Sequence, residues 1–386
     1  MDIELGKGRE VRRAYGFDEV ALVPSLLTID PEDIDLTTTI GNIKLDIPII
    51  ASAMDSVIDP KMAGLMTKYG GLGVLNLNGI QTRYEDADQI LDQIAAVSKE
   101  EYVILMQKLY EKPIDNKLIS KRIKQIKDNG GIVAVSSIPQ TAEEFGKIAI
   151  DAGCDVFFVQ STVVSTIHRS KKYKPLNLGD FCKKLKIPVV IGNCVTFEVT
   201  LELLETGAAA ILVGIGPGAA CTSRGVLGIG VPMATSIADA RAARDHYFRK
   251  SKKYIPIIAD GGMVVAGDIC KAIACGADAV MIGSPIAKAA ESPGRGFHWG
   301  MATPNATLPR GSRIKVGRNG TLKEILLGPA HYDDGSQNIA GALKTSMGTL
   351  GASTISEMQN TEIVVAPSIL TEGKVFQKAQ SLGMYK

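Results

Sequence analysis

The chain has 386 residues, 45% of them hydrophobic and 22% charged, with a net charge of +2 and a pI near 8.1. That balance suits a globular α/β protein with ample core, and it lacks the one-sided basic stripe of a nucleic-acid binder. The six cysteines form no Cys-x-x-Cys pair and the four histidines no cluster, so no zinc site is expected and the thiols read as free ones of a reducing cytoplasm. The start MDIELGKGREVRR is charged, without the apolar core of a signal peptide, and no apolar run approaches the length of a membrane span. Lys121, Arg122, Lys124 and Lys127 fall at helical spacing and predict a solvated face.

Short apolar runs then recur along the chain: IPIIASAM at 47–54, GGLGVLNL at 70–77, GIVAVSSI at 131–138, DVFFVQST at 155–162, IPVVIGNC at 187–194, AAILVGIG at 209–216, YIPIIADGG at 254–262 and DAVMIGSP at 278–285. Each is rich in β-branched residues and apolar throughout, as expected of parallel strands buried on both faces. Most are followed by a helix-like stretch, such as TFEVTLELLETG or AGDICKAIACG, the second closed by a glycine suited to a helix stop. Eight such β–α units predict a single (β/α)8 TIM barrel over 1–386, with an open doubly wound sheet as the alternative.

The ends of the runs carry the polar and glycine residues. Ser52 and Asp55 follow the first, Ser161 and Thr162 the fourth, and Asn193 the fifth; Asp260, Gly261 and Gly262 close the seventh, and Gly283 and Ser284 the eighth. In a barrel these ends form the active-site face, and the loops after the seventh and eighth strands often bind a phosphate.

The sixth run leads into VGIGPGAACTSRG at 213–225, where one cysteine, Cys221, stands among glycines. The next helix is expected near TSIADARAARD, with Ser236 as its cap and Asp239 three residues on. About twenty residues between strand and helix is long for such a loop and points to function. A dinucleotide-binding reading of GIGPGA fails, because Pro217 and more loop follow where that fold needs a helix. A thiol among bare backbone N–H groups facing a phosphate site suggests a nucleophile; a plain buried cysteine is the alternative.

GIGPGAACTSR, with IADGG, GADAVMIGS and SMGTLGASTISEMQ downstream and YGFDEVALVPS and IPIIASAMDSV upstream, resembles the IMP dehydrogenase/GMP reductase family over nearly the whole chain. GREVRRAYGFDEVALVPS and LPRG resemble a branch of it without the regulatory CBS modules, which have no room in the short stretch between the second and third runs. The resemblance implies a cytoplasmic homotetramer or octamer that oxidises IMP to XMP with NAD+, through a covalent thioimidate on Cys221, in guanine nucleotide synthesis. It implies that Asp260 holds the ribose hydroxyls and that Gly261, Gly262, Gly283 and Ser284 cradle the phosphate. Ser52, Met54, Ala219, His298, Gly300 and Met301 would line the nucleotide site, and Ser161, Thr162, Asn193, Gly214 and Gly216 the NAD site. Carbonyls of Gly216, Gly218 and Cys221 match those that bind K+ in many members.

Three departures stand out. The CBS modules are missing. ATPNATLPRGSRIKVG is too short for the usual flap and lacks the Arg-Tyr pair that activates water there, so Arg310 or Arg313, with Ser223 as a hydroxyl relay, are the candidates for that work. Gln160 replaces an aspartate, and Ala219 a serine. The alternatives are GMP reductase, taking GMP and NADPH to IMP and ammonia, and a catalytically silent purine-nucleotide sensor. Beyond the barrel, 291–338 reads as a loop-rich flap, IAGALKTSMGTLGAS as a helix and turn with Gly348 and Gly351 in the turn, and 362–386 as a tail that reaches a neighbouring subunit.

Overall fold

The computed structural model describes residues 2–366 and 374–381. Each of the eight runs holds one strand: β1 (Ile49–Ala51), β2 (Leu72–Asn76), β3 (Ala134–Ser137), β4 (Val156–Gln160), β5 (Val189–Cys194), β6 (Ala210–Val213), β7 (Ile257–Asp260) and β8 (Ala279–Ile282). They pair in parallel in sequence order, and β8 pairs with β1, closing a TIM barrel. The unbroken hydrophobicity of the runs is the sum of two alternating sets. Ile50, Val74, Ala134, Phe158, Val190, Leu212, Ile258 and Met281 pack inside the barrel. Their neighbours Ile49, Leu75, Val135, Phe157, Ile191, Ile211, Ile257 and Val280 pack outward against the helices. Burying each such side chain contributes about 1.5–3 kcal/mol relative to leaving it exposed. The same two-residue period carries Gln160 inward above Phe158 and Asp260 inward above Ile258. Ile40 and Leu45, from a hairpin that precedes β1, join the interior cluster.

The helices in chain order are α1 (Pro60–Lys68), α2 (Ala87–Ala96), α3 (Tyr102–Glu111), α4 (Asn116–Asp128), α5 (Ala142–Asp151), α6 (Leu178–Lys184), α7 (Phe197–Glu205), the short α8 (Ser223–Leu227), α9 (Met233–Ser251) and α10 (Ala266–Cys275). Asp59 caps α1, its carboxylate accepting Met62 N–H at 2.7 Å beside Pro60 in the first turn. No helix among the described residues is long and apolar enough to cross a membrane.

Helices α2 and α3 form an arm after β2. Its Leu91, Ile94, Tyr102, Met106 and Leu109 make a cluster of their own with Ile80 and Trp299. Segment 291–338 is more ordered than a loop-rich reading expects: β9 (Phe297–Trp299) and β10 (Arg313–Lys315) pair antiparallel, and α11 (Leu322–Leu327) follows, capped by Thr321 and Glu324.

Three local expectations change, and a fourth lies partly outside the described residues. Ser236 lies inside α9, which begins at Met233 after Pro232; its hydroxyl donates back to the Val231 and Pro232 carbonyls instead of capping. Gly348 sits within helix α12 (Ile339–Thr349), where a Cβ would come 2.2 Å from the Ile29 carbonyl oxygen, while Gly351 does make the turn. Arg122 leaves the solvated face of α4: it is buried and donates to the carbonyls of Gln81, Tyr84 and Glu85. The tail expected at 362–386 lies partly outside the described residues; within them Ile363–Val365 pairs antiparallel with Val20–Leu22, and Val375–Ala379 is helical.

Candidate active site

The C-terminal ends of the strands open into a cavity of about 710 Å³. Its walls bring together Ser52 and Met54 after β1, Ser161 and Thr162 after β4, Asn193 of β5 and Gly214, Gly216, Gly218, Ala219, Cys221 and Ser223 after β6. Asp260, Gly261, Gly262, Gly283 and Ser284 come from β7 and β8, and His298, Gly300, Met301 and Arg310 from the segment beyond.

Cys221 is held by backbone on both sides. Its N–H donates to Gly218 O at 2.9 Å, Thr222 N–H to Arg310 O at 3.3 Å and Ser312 N–H to Ala220 O at 2.9 Å, so the thiol loop runs against 310–312 with Cys221 opposite Gly311. The thiol donates to Ser223 Oγ at 3.3 Å, and Ser223 is fully buried. The other cysteines have a different environment. Burial pushes the Cys154 thiol up to about 12, and those of Cys182, Cys194, Cys270 and Cys275 up to about 11. Cys221 alone of the six lines the cavity.

Asp260 closes β7 facing inward. Asn193 Nδ2 donates to its Oδ2 at 2.7 Å and Gln160 Nε2 to the same oxygen at 3.0 Å, which leaves Oδ1 for a ligand. Burial raises this carboxyl to about 6 against the pull of both amides. Gly214 has φ +148°, and a Cβ there would lie 2.2 Å from the Asp260 carbonyl oxygen, so only glycine allows this strand end to approach β7.

His298 lies on β9. Trp299 N–H donates to Ser56 Oγ at 3.4 Å, and the same hydroxyl shares a hydrogen bond of 3.0 Å with His298 Nδ1. The ring stands beside Gly283, where a Cβ would meet it at 3.0 Å. Burial pushes this imidazole down to about 4, so it is neutral near pH 7.

The structure does not bring Arg313 to the cavity. Its guanidinium turns outward to the carbonyls of Ile94, Ala95 and Val97 at the end of α2, because those oxygens have no helical partner. Arg310 remains at the cavity wall.

Tyr110 and Arg83 were not expected. Tyr110 comes from α3 into the cavity wall, donating its hydroxyl to Asp55 Oδ2, which also accepts Ile80 N–H at 2.9 Å. Burial raises Asp55 to about 6, and Arg83 packs over the Tyr110 ring at 5.7 Å. Asp55 was visible as the polar end of the first run, but no local signal tied it to a tyrosine 55 residues away. Among carbonyls expected to hold K+, that of Gly218 already accepts Cys221 N–H, and three neutral oxygens suit at most a weakly held monovalent ion.

The chain has relatives that match it over nearly its whole length. The sequence profile of the IMP dehydrogenase / GMP reductase domain matches residues 14–375. An uncharacterised oxidoreductase of Mycolicibacterium smegmatis is 37% identical over 94% of this chain and 99% of its own. The inosine-5'-monophosphate dehydrogenase of Cryptosporidium parvum is 32% identical over 95% of this chain and 96% of its own. Among solved structures, an IMP dehydrogenase/GMP reductase-like protein from Corynebacterium glutamicum superimposes with a TM-score of 0.89 at 36% identity, covering 94% of this chain and 97% of that one. With a closed barrel, a cavity at its C-terminal face and relatives matched nearly end to end, the chain belongs to the IMP dehydrogenase/GMP reductase family of oxidoreductases.

Proposed function

We propose that the protein is an IMP dehydrogenase, oxidising IMP to XMP with NAD+ in guanine nucleotide synthesis. The observation that carries the reading is the Cys221 thiol in the wall of one cavity with Asp260 and the Gly283–Ser284 turn. In this reading Asp260 accepts the ribose hydroxyls through Oδ1. Gly262, Gly283 and Ser284, beside the neutral His298 ring, hold the phosphate. Ser52, Met54, Ala219, Gly300 and Met301 surround the base. Cys221 sulfur bonds to C2 of the purine, its proton leaving by way of Ser223 Oγ. The dinucleotide, when bound, supplies the acceptor for the hydrogen and electron pair lost from C2. Ser161, Thr162, Asn193 and Gly214, which line the same cavity, would receive it. Water oxygen then bonds to C2 as the C2–S bond breaks, and the sulfur is returned as a thiol. Arg310 stands at the thiol loop for that step. No step passes through a potassium ion. The family resemblance extends the proposal to a cytoplasmic homotetramer or octamer.

GMP reductase is the second reading, and the placement of Arg313 favours it to a degree. With that arginine committed elsewhere, fewer groups remain to activate water, and a reductase has no adduct to hydrolyse. Absorbance at 340 nm separates the readings. A rise with IMP plus NAD+, with XMP confirmed, supports the dehydrogenase; a fall only with GMP plus NADPH makes the protein a reductase. Silence in both with IMP still bound leaves a sensor.

A further inference from the structure

Arg313 opens β10, directly after the residues paired with the thiol loop. One of its terminal nitrogens donates to Ile94 O and, at 3.4 Å, to Ala95 O; the other donates to Val97 O at 2.7 Å. These are carbonyls at the end of α2, which the helix itself leaves without donors. The guanidinium also lies over two rings, 4.6 Å from the centroid of Phe297 on β9 and 5.2 Å from that of Tyr102 on α3. One side chain thus joins both helices of the arm to both strands of the hairpin. A planar fork with several donors can do this; a lysine ammonium, a single point of charge, reaches fewer of these partners. The arm touches the same segment again through Gln107 Nε2, which donates to Asn305 O at 3.2 Å.

The link to the chemistry is short. Two residues before Arg313, Gly311 stands opposite Cys221, and a Cβ at Gly311 would come 2.4 Å from Thr303 Oγ1 and 3.3 Å from Ala220 O, so this crossing has no slack. We propose that Arg313 is a positioning residue: it anchors strand 310–313 to the arm and so fixes where the Cys221 thiol and Arg310 stand in the cavity. It touches neither nucleotide in the proposed reaction, and it acts through the strand. For turnover this inference rests on the dehydrogenase reading, but its main test does not.

The test is the alkylation rate of each cysteine by iodoacetamide, read by mass spectrometry on the full chain, for wild type, Arg313→Met and Arg313→Lys. With the anchor gone, Cys221 should react at least about five-fold faster, while the other five cysteines stay as slow as in wild type. Arg313→Lys should fall between. In the 340 nm assay kcat should drop about 10–100-fold with the IMP KM within about three-fold, the size expected for a misplaced reacting group. Cys221 reactivity within two-fold of wild type in a folded Arg313→Met would overturn the proposal. So would a uniform rise at all six cysteines, which marks general loosening. Should Arg313→Met fail to fold, Arg313→Lys and Tyr102→Leu, which removes one ring beneath the guanidinium, carry the same readout, and an unchanged Cys221 rate in both is decisive against it. If wild type oxidises no IMP, the dehydrogenase reading fails while the alkylation rates still decide this one.

Discussion

The barrel wall and the arm-and-hairpin that leans on it are held by the same kinds of group in different surroundings. In the barrel, Arg244 of α9 meets Asp278 at 2.9 Å with 3% and 9% of the two side chains exposed. Asp278 also accepts Ile257 N–H at 2.8 Å and the Tyr254 hydroxyl at 2.6 Å, so the pair ties a helix to the start of β7. On the arm, Arg295 reaches Asp88 and Asp92 at 3.1 and 2.9 Å, but those carboxylates are 59% and 65% exposed. Burial decides the weight of each: the first pair cannot lose a partner without stranding a charge, while the second trades it for water. The cavity takes residues from both regions. Asp260 belongs to the barrel, whereas Cys221 and Arg310 meet where the loop after β6 runs against the hairpin segment. Barrel substitutions should therefore unfold the protein, and substitutions at the seam should detune it while it stays folded.

The largest effect is expected at the seam itself. Cys221→Ala should lower IMP oxidation by at least about 10³-fold, since the nucleophile is lost and no other thiol lines the cavity. IMP affinity by calorimetry should stay within about three-fold, and the melting temperature should hold. Unchanged turnover would remove the covalent mechanism. In the barrel, Arg244→Met leaves Asp278 buried without its cation and should cost about 3–5 kcal/mol in urea unfolding. A cost below about 1 kcal/mol would mean that the barrel pair weighs no more than an exposed one.

Asp260 gives the comparison a pH axis. Its carboxyl is raised from 3.8 to about 6 in the folded chain. Between those values the folded group holds a proton that the unfolded one has released, so its contribution to stability is full below 3.8 and is lost as pH rises through about 6. Binding runs the other way. Ribose hydroxyls need an ionised acceptor, so IMP affinity should climb from about pH 5 to pH 7 and then level. Asp260→Asn should bind IMP about 10–100-fold more weakly at neutral pH and lose that slope. A slope that persists in the variant assigns it to another group.

The barrel was legible in the sequence because two periodic signals coincide there: apolar runs of strand length, and polar residues confined to their ends. That placed all eight strands and drew attention to Cys221, Asp260 and the glycine turns. What escaped depends on partners far along the chain. Ser236 looks like a cap until the helix begins three residues earlier, at Met233 after Pro232. Arg122 looks solvated until the turn after β2 folds its carbonyls over it. Arg313 has the charge for activating water, and no local pattern tells that α2 ends within its reach. Tyr110 enters the cavity from a helix whose own residues pattern only as amphipathic. Contacts of this kind are fixed by tertiary packing, so a reading by period and spacing finds the strands and misses the braces.

The smallest effect should come from Arg295→Ala. It removes both ion pairs to α2, but Asp88 and Asp92 are exposed enough to be hydrated at once. Arg295 also donates to the Pro293 carbonyl at 3.0 Å, so some of any cost is a neutral-acceptor hydrogen bond rather than an ion pair. The expected loss is about 0.5–1.5 kcal/mol by urea unfolding, shrinking as salt is raised to about 0.5 M because only the ionic part is screened. Turnover should stay within about two-fold, since Arg313 still joins the arm to the hairpin. A loss above about 3 kcal/mol would put these pairs in the class of Arg244–Asp278 and erase the distinction between wall and arm. A small stability change with a large fall in turnover would keep that distinction and move the brace on the thiol loop from Arg313 to Arg295.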